Sequence, residues 1–291
     1  MLKYRLTLGP LLILLFLGII WLDGWLSARG ARPGLAFTVL MLTGGVFAGR
    51  ELAKIFRARA IATSVVINSI AVCAGLVASS FTPEELGPVP GSALVCSAGA
   101  GVMLLAMLFY SRHHNVQGVV ASTSATLLAF VYVGMLGGFL IVLVKEYSAW
   151  LVLAVVLITK SYDIGAYSTG RIFGRHKLIP WLSPGKTWEG LVGGVAFASL
   201  VGAATALVFG TKIPGVPPFS WWQGALVGAV FGLVGQAGDL VASLLKRDAG
   251  IKDYSRAIPG FGGIMDVVDS PLLVAPVAFW MLRALGTAGG G

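Results

Sequence analysis

Runs of roughly twenty apolar residues recur along this chain, and no other feature constrains its fold so strongly. About 20 consecutive apolar residues cross the hydrocarbon core of a bilayer. Nine such segments can be marked, at about 8–26, 35–49, 61–81, 92–110, 118–144, 148–160, 191–209, 221–240 and 271–285. The second, sixth and ninth are short, which leaves room for tilt or a break. Lipid offers backbone amides no partner, so each run must satisfy its own as a helix. Only 11% of the residues are charged, against about 25% in soluble domains, too few to cover a wetted surface. The expected fold is all-α, a polytopic membrane helical bundle of about nine transmembrane segments. Lys3 and Arg5 before the first run and Ser27-Ala28 after it resemble a signal peptide, but the run is long and further spans follow, so an uncleaved first helix is expected. The 40 glycines agree with a bundle, because small residues let membrane helices approach closely. Gly224, Gly228 and Gly232, at four-residue spacing, read as one packing face. Cys73 and Cys96 lie inside apolar runs without CxxC spacing and read as small core residues.

The net charge of +9 could serve nucleic acid or membrane topology. Its distribution favours topology, because the cations sit in short clusters between apolar runs, and no nucleic-acid partner is expected. With the N-terminus in the cytoplasm and spans alternating, sixteen Lys and Arg fall on the cytoplasmic side and five on the other. That asymmetry follows the positive-inside rule. The main cytoplasmic clusters are then 50–59, 171–186 and 246–256. The opposite side receives Lys212 and the proline-rich Pro214–Pro218.

Polar chemistry is unevenly spread. Residues 1–150 form N-terminal membrane helices with few polar groups, and 151–291 form a C-terminal membrane region that carries the chemistry, the two being one continuous membrane domain. Asp163, Asp239, Asp266 and Asp269 all stand at or near segment ends. Carboxylates at such depth are costly and point to function. The stretch 238–270 holds Asp239, Asp253, Asp266 and Asp269 among Lys246, Arg247 and Lys252. Pro259-Gly260 and Gly262-Gly263 supply a turn that folds the second acidic pair back towards the first. Hard carboxylate oxygens beside ammonium and guanidinium groups suit Mg²⁺ and a polyphosphate. Asp266 and Asp269 share a face if a helix opens there. Solvated loop charges would explain any one of these residues, but not the whole group beside an apolar core.

A second stretch, 160–190, follows Asp163 with Arg171, Arg175, His176, Lys177 and Lys186. Ser183-Pro184-Gly185-Lys186-Thr187 looks like the end of a phosphate loop, but Pro180 occupies the place of the first Walker glycine. A P-loop NTPase is excluded, while turn amides, Lys186 and Thr187 remain able to touch phosphate. An ordinary positive-inside loop explains the same cations equally well. His113-His114 and His176 have no metal-site spacing and read as loop residues.

Together the two stretches resemble the phosphatidate cytidylyltransferase family. Its pattern of Ser-x-x-Lys-Arg, then Lys-Asp, then Pro-Gly-His-Gly-Gly-x-x-Asp-Arg-x-Asp is matched by Ser243, Lys246, Arg247, Lys252, Asp253, Pro259, Gly260, Gly262, Gly263, Asp266 and Asp269. Asp163-x-x-Ala166-Tyr167 and the run Ser183–Gly190 are similar to the family as well. Phe261, Val267, Ala242 and Ile164 depart from it, standing where the family has His, Arg, Glu and Thr or Ser.

The resemblance implies CMP transfer from CTP to phosphatidate, with CDP-diacylglycerol and pyrophosphate as products. It implies Mg²⁺ at Asp239 and Asp266, a second cation being compatible, and Asp269 and Asp163 close by. Lys246 joins these aspartates as a reacting-site residue. Lys186, Arg247 and Lys252 would hold phosphate, Ser183 and Thr187 would donate hydroxyls, and Asp253 and Asp163 would line the substrate site. A cavity open both to the cytoplasm and sideways to the lipid is expected, with Phe261 and Val267 at its margin. On that view F261H with V267R raises activity on phosphatidate. The implied location is the inner membrane of the cell, with the site facing the cytoplasm. Alternatives are another CTP-dependent lipid cytidylyltransferase, a lipid kinase, or an inactive member of the family. Transport fits less well, since the charges lie at one face and no paired halves are evident. The oligomeric state stays open, a homodimer being one candidate.

Overall fold

The computed structural model describes residues 2–86, 89–112, 116–209, 219–255, 257–260 and 262–288. Phe261, Arg256, Lys212, Pro214–Pro218 and His113-His114, all weighed above, lie outside the described residues.

Each expected segment coincides with one helical rod: α1 (Leu2–Ser27), α2 (Leu35–Ala58), α3 (Val65–Ser79), α4 (Gly91–Ser111), the run α5 (Val119–Ala129) and α6 (Leu136–Glu146), α7 (Ala149–Phe173), α8 (Trp188–Phe209), α9 (Trp221–Asp248) and α10 (Ile264–Ala288). A π-helical turn, Phe130–Met135, joins α5 to α6 without ending the rod. Among the described residues eight rods are long and apolar enough to cross a membrane. The shorter one is α3, with 15 residues. The segments expected to be short, α2, α7 and α10, instead reach 24, 25 and 25 residues. Their helices run on past the apolar stretch into polar turns, because the backbone ladder needs no hydrophobic side chain once one end is anchored. Those polar extensions carry Glu51, Asp163 and Asp266.

Two short antiparallel hairpins complete the secondary structure: β1 (Glu85–Leu86) with β2 (Val89–Pro90), and β3 (Lys177–Ile179) with β4 (Ser183–Thr187). The second leads directly into α8. Thr187 Oγ1 accepts the Gly190 amide at 3.1 Å and so caps that helix. Ser148 caps α7 in the same way, through Leu151.

By internal contacts the chain forms two compact units, Met1–Val142 with Leu245–Val267, and Leu143–Leu244 with Val268–Gly291. The segment 245–267, rich in motif residues, belongs with the N-terminal helices.

In the first unit, α3 packs against α2 and the π turn. A Cβ at Gly75 would stand 2.6 Å from the Phe130 carbonyl. Ala71, Val102 and Phe130 form a buried cluster beside it. Asp23 of α1, itself buried, accepts the Gly34 and Ala36 amides at 2.9 and 3.0 Å and caps α2.

In the second unit, Gly224 and Gly228 meet the backbone of α8 at Gly202 and Ala198, and Gly232 meets Tyr162 of α7. The glycine face read from the sequence is thus a helix contact, with dispersion over closely approached backbones as the attraction. Gly238 lets α9 close on α10 at Asp269 and Ser270. Eight tryptophans, among them Trp181, Trp221 and Trp280, are exposed on the described surface, as amphipathic rings at a membrane boundary would be.

Candidate functional site

The first unit organises the second acidic pair of the sequence motif. Ile258 and Gly262 exchange backbone hydrogen bonds at 2.8 and 2.9 Å, closing a tight turn over Pro259-Gly260. Gly260 and Gly262 both have positive φ, 85° and 95°, a region that side chains avoid. The turn returns the chain to α10, whose first turn carries Asp266. Its Oδ2 accepts the amides of Tyr254 and Gly263, both at 2.9 Å. The bond from Gly263 is the backbone half of a capping box. Its Oδ1 accepts Lys246 Nζ at 2.9 Å. Both side chains are largely enclosed, at 14% and 9% exposure, and Lys246 also lies over the Tyr254 ring. The glycine turn is therefore a device for placing one carboxylate. A Cβ at 262 would come within 2.5 Å of Asp266 Oδ2.

Glu51 of α2 belongs to the same constellation. It is buried, and it accepts Ser255 Oγ at 2.6 Å and the Ile264 and Met265 amides at 3.1 and 3.0 Å. Arg247, Lys252 and Asp253 are all exposed. Asp248, next to Arg247, pairs on the surface with Arg59 at 3.1 Å.

The second unit holds the other lysine–aspartate pair. Lys186, on β4, forms an ion pair with Asp239 of α9, at 19% and 33% exposure. Lys186 Nζ is fully enclosed, and the Asp239 carboxylate is its ion-pair partner. Nearby in the chain, Lys160 lies between two carboxylates: Asp163 at 3.4 Å and Asp269 at 3.9 Å. Asp163 is exposed, whereas Asp269 is buried and accepts the Ser270 amide at 2.6 Å. Asp266 and Asp269 do open a helix at i, i+3 spacing, each with its own lysine. Ser183 is half-buried on β4. Thr187 is buried, and its hydroxyl oxygen accepts the Gly190 amide in the cap of α8. Glu189 ties down the other side of this hairpin, accepting the Arg175 and His176 amides at 3.1 and 3.2 Å.

Among the described residues no three His, Cys, Asp or Glu side chains cluster closely enough to hold a metal with protein ligands alone. Mg²⁺ commonly takes one or two carboxylates and completes its octahedron with water and substrate phosphates, and Asp239 and Asp266 each offer hard carboxylate oxygens beside a lysine of their own unit.

The cytidylyltransferase family description matches residues 3–285. The chain belongs to the cytidylyltransferase family. It is similar to the phosphatidate cytidylyltransferase of Bacillus subtilis (strain 168), with 28% identity over 282 residues, covering 96% of this chain and 97% of that protein. It is 36% identical over 167 residues to the phosphatidate cytidylyltransferase of Mycobacterium bovis (strain ATCC BAA-935 / AF2122/97), covering 57% of this chain and 52% of the relative. Over 135 residues it is 42% identical to Uncharacterized protein YnbB of Escherichia coli (strain K12), covering 43% of that protein. In these last two the chain spans about half of the relative's length.

Two residues of this chain escape a reading of the sequence by motif. Glu51 sits in a helix that looks like scaffold, among the cations of the 50–59 cluster, where a lone carboxylate reads as their counter-charge. Lys160 looks like a topology cation, although its place three residues before Asp163 gives it a partner on the same helix face. Of the four departures from the family pattern, Ala242 is fully buried, Val267 half-buried and Ile164 exposed.

Proposed function

We propose that this protein transfers CMP from CTP to phosphatidate, releasing CDP-diacylglycerol and pyrophosphate. The observation that carries the reading is the pairing of each motif aspartate with a motif lysine, Lys186 with Asp239 and Lys246 with Asp266. A membrane protein that must manage polyanions needs both signs of charge at the headgroup level. An oxygen of the lipid phosphate attacks the α-phosphorus of CTP, and the new P–O bond forms as the bond to the bridging oxygen breaks. Pyrophosphate leaves with that electron pair. No covalent enzyme intermediate is needed, so catalysis lies in positioning and charge stabilisation.

Asp239 and Asp266 are the proposed carboxylates for Mg²⁺, which when bound would offset phosphate charge and orient the leaving oxygen. Lys186 and Lys246 can exchange their carboxylate partners for phosphate oxygens. The enclosed Nζ of Lys186, paired with the more exposed of the two aspartates, is the better placed to turn to an incoming phosphate. Ser183 and the Thr187 hydroxyl can add neutral donors, and exposed Arg247 and Lys252 can raise the local concentration of nucleotide. Asp163 and Asp269 hold Lys160. The charge asymmetry between loops supports a site facing the cytoplasm, in the inner membrane of a bacterial cell.

The test is turnover by purified protein in mixed micelles containing phosphatidate, CTP and Mg²⁺. Equal amounts of CDP-diacylglycerol and pyrophosphate are expected. A lipid kinase would release CDP instead of pyrophosphate, and that product overturns the reading. Labelling of single cysteines placed at 59–61, between α2 and α3, from outside intact cells would reverse the orientation.

A further inference from the structure

A buried carboxylate needs a reason, because removing its charge from water is costly unless hydrogen bonds replace the lost hydration. Glu51 has three such donors, the Ser255 hydroxyl and the amides of Ile264 and Met265. Those amides belong to the first turn of α10, where backbone N–H groups have no partner within the helix. The positive end of the helix dipole adds to the attraction. Gly263 makes the approach feasible, since a Cβ there would stand 2.5 Å from both Glu51 carboxylate oxygens.

Asp266 follows Met265 directly. It contributes to the same cap, taking the Gly263 amide on Oδ2 while Oδ1 holds Lys246. Two carboxylates thus divide one helix start. Glu51 takes the Ile264 and Met265 amides, and Asp266 takes the Gly263 amide. This division leaves Oδ1 of Asp266 facing a cation and not a backbone amide.

We infer that Glu51 is a positioning residue for Asp266: it caps α10 from a neighbouring helix and so keeps one Asp266 oxygen free to exchange cations. The inference rests on the proposed function only in giving Asp266 a part in the reaction. Loss of Glu51 should free the helix start and draw Asp266 into the cap, weakening its hold on a metal while the nucleotide contacts of Lys186 persist.

The experiment uses full-length protein in nanodiscs, comparing wild type with E51Q, E51A and G263A. The last leaves every ionisable group in place and displaces the Glu51 carboxylate with a methyl group. Amide hydrogen exchange across 251–267 is measured first, without substrate. Exchange at Ile264 and Met265 should rise about tenfold to a hundredfold in E51A and G263A, as expected for losing a charge-assisted hydrogen bond. Turnover is then titrated with Mg²⁺. The midpoint should move to higher Mg²⁺, by about tenfold, in E51Q and G263A, with the KM for CTP changed less than about twofold. A merely structural role lowers kcat through the active fraction and leaves the Mg²⁺ midpoint where it was, and that result overturns the inference. Unchanged exchange at Ile264 and Met265 overturns it as well. If E51A does not fold, E51Q and G263A decide the matter. If wild type turns over no CTP with phosphatidate, the proposed function falls, while the exchange measurements still judge the cap.

Discussion

The two lysine–aspartate pairs have the same chemistry and different construction. Asp266 is held by backbone: two loop amides on one oxygen, Lys246 on the other, a glycine turn behind it and Glu51 holding its helix. Asp239 is more exposed, and it is held by the Lys186 ammonium. The first pair is built into the fold, and changing it disturbs structure. The second is held mainly by Coulomb attraction, which a competing cation or phosphate can replace at small structural cost. The difference teaches that two residues equal in a motif need not be equal in stability.

Substituting the aspartates tests that contrast most strongly. D239N and D266N should both lower turnover by about a hundredfold to a thousandfold. D266N should also lose about 1–3 kcal/mol of stability, because the Tyr254 or Gly263 amide faces an amide in place of a carboxylate. D239N should cost less than D266N, because no backbone amide depends on Asp239 in the way Tyr254 and Gly263 depend on Asp266, although it leaves the enclosed Lys186 ammonium without its counter-charge. Equal destabilisation by the two, measured by thermal or denaturant unfolding in detergent, would erase the distinction.

Removing the lysines comes next. K246A strands the enclosed Asp266 carboxylate and should cost about 3 kcal/mol. K186A should instead raise the CTP concentration needed for half-maximal rate by about tenfold or more, with little change in stability, since a charged donor to phosphate is lost. Steady-state kinetics beside unfolding curves separate the two, and unchanged KM in K186A would deny it a phosphate role.

G262A sharpens the backbone side of the comparison. Its positive φ and the nearness of Asp266 Oδ2 should cost about 1–2 kcal/mol and lower turnover without removing any charged group. The smallest effect is expected at the surface. Arg59 and Asp248, at 51% and 72% exposure, form an ion pair of the kind that contributes well under about 1 kcal/mol. R59A should therefore leave unfolding and turnover as they are.

Helix number, helix type and the chemical character of the site were legible in the sequence, for one physical reason. Lipid cannot hydrogen-bond a backbone, so apolar runs dictate helices, and a carboxylate near the membrane stands out against them. Asp239, Asp266, Lys186 and Lys246 could be picked out by residue type and spacing alone. Their pairing could not, because Lys186 and Asp239 are far apart in the chain and a sequence does not say which cation meets which anion.

Only the tertiary structure decided how the chain is grouped and which N-terminal residue attends the motif. Composition changes near residue 150, yet 245–267 belongs to the same compact unit as the first helices. Glu51 lies more than two hundred positions before the amides it caps. Hydrophobic pattern fixes what each segment is because that depends on solvent. Partners across such distances depend on close approach of backbones, here permitted by Gly262 and Gly263, and that is a property of the packed molecule.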